Sequence, residues 1–417
     1  MTKTEPNTSY DFGQTKEHRQ VTDEDIDRMR VRIGTEVPIQ DPYNRVATAD
    51  AIRHYAYGIG DDNPLFCDEA YARKTRWGTI IAPPYFVETM GVSRAKEIPR
   101  EARERGRGAL SGVHSWYSGD AVELLVPVHV GDKMTVKAYI ASVEVKESEF
   151  AGRTVHTTRR YEWVNQRGQL VAVADRLYVA GGRERTPGER KKYAELVRQS
   201  YAEEEIRRIE QEYEKEVRRG ATPLFWEDVQ VGEEVPSLIK GPLTISDIIA
   251  FDMGRGSPYI RAHRRAYLYR KRHPAAYPLD EFGIPDVVER VHWSEELARK
   301  TGNPAPYDYG AQRFAWLCQL MTNWMGDEGF LRRFKIELRR FNYVGDITWC
   351  KGKVVEKYEE ESQHLVKCEV WCQDQRDRVT ARGETLVALS SRRGGPVKLI
   401  VRPAAWQENG EIAEVSK

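Results

Sequence analysis

VHVGDKMTVKA, residues 128–138, returns later in the chain as NYVGDITWCKG, residues 342–352, and this recurrence decides the fold. Two more pairs accompany it. IGTEVP at 33–38 returns as VGEEVP at 231–236, and CDEAYARKT at 67–75 returns as WSEELARKT at 293–301 with Ala-Arg-Lys-Thr intact. The three matches keep the same order, which marks one structural unit used twice.

Within each unit the hydrophobic pattern changes from helical to strand-like. Residues 48–57, TADAIRHYAY, suit a helix, and DEAYARKT suits a short one. IIAPPYFVETMGVSRAKEI at 80–98 reads as a longer apolar helix in the core. Strands follow: GDAVELLVPV, DKMTVKAYIASVEVKES, RTVHTTRRYEWVNQ and LVAVADRLYVA. They alternate apolar and polar residues and are rich in Val, Thr, Tyr and Trp. A hairpin turn is expected from Asn165 to Gly168. The second unit closes likewise with RFKIELRRFNYV, DITWCKGKVVEKYEE, HLVKCEVWCQDQ and TARGETLVALS. A long helix wrapped by an antiparallel sheet, once in each unit, is the simplest α+β architecture for this order; the pseudo-dimer of two such units is what the resemblance given below implies.

The expected divisions are a polar segment at 1–29, a first unit at 30–185, a charged linker helix at 186–224, a second unit at 225–402 and a tail at 403–417. In the linker, Thr186-Pro187 is a helix start and Gly220 a stop. Ile206, Ile209, Tyr213 and Val217 form its one apolar stripe. Mixed charge around that stripe argues against nucleic acid, as does the whole-chain balance of 65 Lys+Arg against 64 Asp+Glu. The start of the chain has no apolar signal core, and no run is long and apolar enough to span a membrane. The five cysteines include no Cys-x-x-Cys pair, so reduced thiols in a cytoplasmic protein are expected.

GIGDDNPLF, residues 58–66, carries the chemistry. A helix, then Gly-Asp-x-Asn-Pro-Leu, then DEAYA, an apolar proline-bearing stretch and a V-G-D strand together resemble the MaoC-like enoyl-CoA hydratases, including the (R)-specific hydratase 2 type. The first half, with GVHSWYSGDAVELLVPVHVGD, is similar to the FAS1-like dehydratases. The resemblance covers about 30–180 and 225–390. It implies a tandem (double) hot-dog fold, a CoA thioester substrate, no metal or redox cofactor, and a homo-oligomer formed as a dimer of double hot-dogs. It also implies an Asp and a His five residues later that hold a water for addition to a 2-enoyl thioester or its removal from a 3-hydroxyacyl thioester. A backbone N–H at the start of the central helix would face the enolate-like oxygen.

This chain departs from that pattern. Phe66 stands where the family has His. Aligning the halves on Ala-Arg-Lys-Thr puts Phe66 on His292, Asp61 on Val287 and Asn63 on Glu289. Three arrangements stay open. The preferred one makes the second half active, with His292 as acid/base, Asp286 or Glu289 as partner, and Gly310 in PAPYDYGAQRF as oxyanion donor. Another pairs Asp61 with His292 across the halves. A third has neither half catalysing. Asp61 and Asn63 are further catalytic candidates, though capping a short helix is an equal use for them. Tyr309, Phe66, Arg264 and Arg265 are candidate substrate contacts, the arginines lying in a basic run that could hold CoA phosphates or form a solvated helix face. Phe314, Trp316, Met321 and Trp324 read as core, and His114 as structural. The insertion at 257–286 leads directly to His292 and is expected to wall the pocket. A thioesterase and a non-catalytic acyl-CoA binder are the alternatives on this fold.

Overall fold

In a computed structural model, residues 20–148, 152–181 and 198–405 are described. Most of the N-terminal polar segment, the expected helix start at Thr186-Pro187 and nearly all of the tail lie outside the described residues.

The strands are β1 (Val92–Ser93), β2 (His114–Leu124), β3 (Met134–Ser148), β4 (Gly152–Asn165) and β5 (Leu170–Gly181), then β6 (Glu234–Lys240), β7 (Phe330–Leu338), β8 (Thr348–Glu360), β9 (Gln363–Asp374) and β10 (Val379–Leu389). They form one sheet in the order β1-β3-β4-β5-β2-β7-β10-β9-β8-β6. β2 and β7 pair antiparallel at the middle, Ala121 opposite Lys335, and so join two like halves. This is the tandem hot-dog arrangement. Period-two alternation gives the sheet one buried face: on β9, Val366, Cys368, Val370 and Cys372 all point into the core. Gly168 at φ 78° closes the expected hairpin, its N–H donating to Asn165 O at 3.0 Å.

The central helix of the second half, Gly310–Met325, is buried along its length from Ala311 onward. Phe314, Trp316, Met321 and Trp324 are core residues, as their spacing implies. The first half differs from expectation. Its stretch 80–98 forms only a 3-10 turn, Pro84–Thr89, and then strand β1. Gly91 sits at φ 112°, where an added Cβ would stand 2.0 Å from Val136 Cγ2. The chain therefore turns onto β3 instead of continuing as a helix.

The described part of the linker contains the helix Glu203–Glu214. Ile209 packs against Ile239 and Ile347, with Ile206 beside it. Tyr213 and Val217 are exposed, so the stripe does not continue to Val217. No helix among the described residues is long and apolar enough to cross a membrane.

Candidate active site

Two helices, Ala49–Gly58 and Ile245–Arg255, cross at their glycines. A Cβ on Gly58 would lie 2.7 Å from Ala250 O, and one on Gly254 would lie 2.4 Å from His54 O. Each helix starts at a threonine cap, Thr48 or Thr244, and each is followed by a left-handed glycine, Gly60 at φ 69° or Gly256 at φ 71°. The next residue is Asp61 in one half and Ser257 in the other. Both side chains accept from the amide two residues on: Asn63 N–H to Asp61 Oδ1 at 3.0 Å, Tyr259 N–H to Ser257 Oγ at 3.1 Å. Ser257, not Val287, thus occupies the place of Asp61. The insertion separates the beginning of the second motif from its end, and alignment on Ala-Arg-Lys-Thr alone crosses that gap wrongly.

The carboxylate returns from the far end of the insertion. Ser257 Oγ–H donates to Glu289 Oε2 at 2.7 Å. Residues Val288–His292 form a 3-10 turn, in which side chains three apart lie above one another. Glu289 and His292 therefore share an edge. Asp286 does not join them. It is half-exposed, accepts from Val287 N–H at 2.7 Å and lies 4.0 Å from Arg290. Of the two carboxylates left open by the sequence, Glu289 is the one turned inward.

His292 Nδ1 lies 2.8 Å from Tyr307 O. A carbonyl only accepts, so Nδ1 carries the proton and Nε2 of the neutral ring is a free base. Burial lowers the imidazole pKa to about 4, and the charge of Arg255 adds to this against the Tyr307 hydrogen bond. The ring stacks on Tyr309 with centroids 3.8 Å apart. Tyr309 is the N-cap of the central helix, so His292 packs on the residue that immediately precedes Gly310. Gly310 belongs to the first turn, whose amides have no intrahelical acceptor. A Cβ there would meet Leu338 Cδ1 at 2.5 Å and Tyr117 Cδ1 at 3.4 Å.

Titratable groups crowd this corner. Tyr309 O–H donates to Asp252 Oδ2 at 2.9 Å. Burial pushes Asp252 up to about 7 and raises Glu289 as well, while the hydrogen bond from Ser257, the charge of Arg255 and the nearby Tyr309 hydroxyl oppose the rise in Glu289. Arg255 sits over the Tyr309 ring at 5.7 Å and donates from Nε to Glu88 Oε1 at 2.9 Å. Glu88 comes from the first half. It also meets Arg176, which grips Asp120 through two nitrogens at 3.1 and 3.0 Å.

The first motif is built differently. Asn63 Oδ1 caps the turn Pro64–Cys67 through Leu65 N–H at 3.0 Å, the structural use weighed for it above. Asp68 caps the next short helix itself. Phe66 is 2% exposed and lines an apolar cleft with Trp77, Ile81, Val126 and Phe330. Asp61 packs near Tyr55, Pro84 and Gln319 around a gap too tight to hold a water. Neither Asp61 nor Asn63 shares a bond with His292, so no pair forms across the halves. Arg264 and Arg265 are exposed on the first turn of His263–Arg272. Ser257, Asp252, Arg255 and Glu88 escaped the sequence reading. The shared Thr…Gly-x-Gly pattern of TADAIRHYAYGIGD and TISDIIAFDMGRGS would have revealed the first three.

Residues 32–174 match the family model described as FAS1-like, dehydratase domain region. A UPF0336 protein of Streptomyces avermitilis is 30% identical over 113 residues, 27% of this chain and 71% of the relative. A probable enoyl-CoA hydratase alpha subunit of Thermomonospora curvata is 31% identical over 146 residues, 32% of this chain and 43% of that protein. A solved structure described as a MaoC-like dehydratase is similar with TM-score 0.57 at 18% identity, covering 86% of this chain and 99% of its own. A putative MaoC domain protein dehydratase from Chloroflexus aurantiacus J-10-fl gives 0.50 at 11% identity, covering 87% and 96%. The family-model match falls in the first half, and the structural likeness extends the fold over the second.

Proposed function

The chain belongs to the MaoC-like dehydratase family, and on that premise we propose that it hydrates a 2-enoyl-CoA thioester reversibly, the reverse being dehydration of a 3-hydroxyacyl-CoA. The observation that carries this reading is the neutral ring of His292 stacked on the N-cap of the central helix, with Glu289 three residues before it on the same 3-10 turn and held by Ser257.

In hydration, His292 Nε2 takes a proton from the water whose oxygen bonds to C3. The double-bond electrons move toward the thioester oxygen, where the Gly310 amide and the positive end of the helix stabilise the developing charge. Glu289, biased toward its protonated form by burial, delivers its proton to C2. The proton on His292 then returns to the Glu289 carboxylate through the next water, and the cycle closes. Dehydration runs through the same steps backwards. The CoA thioester is the substrate, and the steps use side chains and one amide with no metal or redox partner.

Loss of enoyl absorbance on adding the protein to 2-enoyl-CoA thioesters tests the reading. His292→Gln is expected to lower kcat by about 10²–10⁴-fold, the usual range for a general acid–base group. Thiol release without change in enoyl absorbance would assign a thioesterase instead, and unchanged hydration in His292→Gln would displace the site.

A further inference from the structure

We infer that Asp252 is the second carboxyl of the site and shares with Glu289, by way of the Tyr309 hydroxyl, the single proton that hydration places on C2. This rests on the hydratase reading above and adds to it a positioning residue, one that touches no reacting atom and acts through Tyr309 and Glu289. The two carboxyls meet at one helix end. Asp252 lies in the last turn of Ile245–Arg255, and Ser257, two residues past that helix, donates to Glu289 Oε2 at 2.7 Å. Asp252 Oδ2 accepts from Tyr309 O–H at 2.9 Å, while Oδ1 is buried with no partner among the described residues. The Tyr309 hydroxyl is also near enough to Glu289 to oppose the rise that burial causes there. One hydroxyl thus serves two carboxyls, and it has only one proton to give.

The surroundings resist ionising both carboxyls together. A helix end of partial negative charge opposes a carboxylate in its last turn. An ionised Asp252 would also leave Oδ1 buried with its charge unmet. Close like charges therefore hold one proton between them and titrate as a pair. Burial raises Asp252 to about 7, with the charge of Glu289 adding to the rise and the Tyr309 bond and Arg255 opposing it. The other titratable or charged groups at this corner are Arg255, tied to Glu88 of the first half, Tyr259 near Glu289, and His292 stacked on Tyr309. Burial and the charges of Glu289 and Asp252 hold Tyr309 well above the ordinary phenol range, so it gives up a proton only while taking another. Its contact with Asp252 works in both directions, since a protonated carboxyl donates to a phenol as a phenol donates to a carboxylate. The proton resting on Asp252 passes to Tyr309 as the Tyr309 proton passes to Glu289. The Glu289 O–H bond then breaks as the C2–H bond forms. The proton that His292 took from water returns through the next water and refills the pair.

The test is the pH profile of 2-enoyl-CoA hydration. The alkaline limb of kcat/KM should lie at about 7, where the pair loses its proton. Asp252→Asn keeps an oxygen for Tyr309 but removes the neighbouring charge. Glu289 then holds the proton less firmly, and the limb should move down by about one pH unit. Tyr309→Phe keeps the ring on which His292 stacks and removes the hydroxyl that lowers both carboxyls, so the limb should move up. Asp252→Glu keeps the charge and should return the limb toward its native position. A lower kcat with an unmoved limb in Asp252→Asn would make Asp252 a brace for the Tyr309 ring and overturns the inference, as does a downward shift in Tyr309→Phe. If no thioester is hydrated, infrared titration reads the pair directly. A protonated-carboxyl band lost at about pH 7 in the native protein and missing from Asp252→Asn upholds the pair while the hydratase reading falls. The absence of that band overturns the inference.

Discussion

His292 is the residue whose environment most constrains the chemistry. An imidazole lowered to about 4 stays a base across the neutral range. The acid limb of kcat/KM should therefore appear only as pH approaches about 4, and a limb centred near the ordinary 6.5 would assign the base elsewhere. The same depressed pKa affects folding. Between 6.5 and about 4 the unfolded chain binds a proton that the folded one refuses, so this group withdraws stability as pH falls through that window. Ser257→Ala removes the hydrogen bond that holds Glu289 down. Glu289 should then stay protonated to higher pH, shifting the alkaline limb of hydration upward while kcat/KM falls about tenfold, as for a lost hydrogen bond to a charged group; an unmoved limb would remove Glu289 from proton transfer. His292 was legible as a candidate because the repeat pointed to it, and Gly310 because the resemblance put the start of the central helix there. Ser257 was not, since its tie to Glu289 spans the insertion. Nor was the choice of Glu289 over Asp286, which depends on a 3-10 turn with three-residue eclipse.

Elements put these residues in place, and the glycine crossing is the tightest joint. The helix Ile245–Arg255 carries Asp252 and Arg255 and delivers Ser257 at its end. Gly254→Ala would put a methyl 2.4 Å from His54 O and 2.9 Å from Tyr55 Cα, both backbone atoms that no rotamer can move. Alanine adds up to about 1 kcal/mol of helix propensity, yet overpacking by such a contact costs about 1–3 kcal/mol. The overlap should win: the urea midpoint falls, and hydration falls with it because the Ser257–Glu289 contact shifts. A midpoint that rises would mean the helices separate without penalty. Strands were readable beforehand because period-two burial is written in each of them. The first-half turn was misread because an apolar run looks alike as a helix or as a 3-10 turn plus strand. Only contact with Val136, more than forty residues on in the chain, forces Gly91 to turn.

Across the whole molecule, the site in the second half depends on a charge supplied by the first. Glu88, on the 3-10 turn that replaces a long helix, accepts from Arg255 at 2.9 Å and lies 3.4 Å from Arg176, with its side chain 4% exposed. Arg176 in turn is neutralised by Asp120, and Tyr85 O–H donates to Asp120 Oδ2 at 2.5 Å. This chain of alternating charges runs beside the β2–β7 seam, so it links the halves as the backbone does. Glu88→Gln keeps the volume and removes the charge. Two partly buried guanidinium groups then lose the carboxylate they share, and breaking a fully buried pair from one side costs about 3–5 kcal/mol, which sets the upper end here. An exposed pair such as Glu69–Arg73, with side chains 63% and 67% accessible, sets the contrast, since removing it changes stability by about 0–1 kcal/mol. Released from Glu88, Arg255 would turn its full charge on Glu289, lowering that carboxyl's pKa and moving the alkaline limb of hydration to lower pH, opposite to Ser257→Ala. Urea unfolding read beside the pH profile separates the two consequences. A large drop in midpoint with an unmoved limb would make the Glu88 bridge a strut between halves, whereas both changes together make the first half a working part of the second half's site.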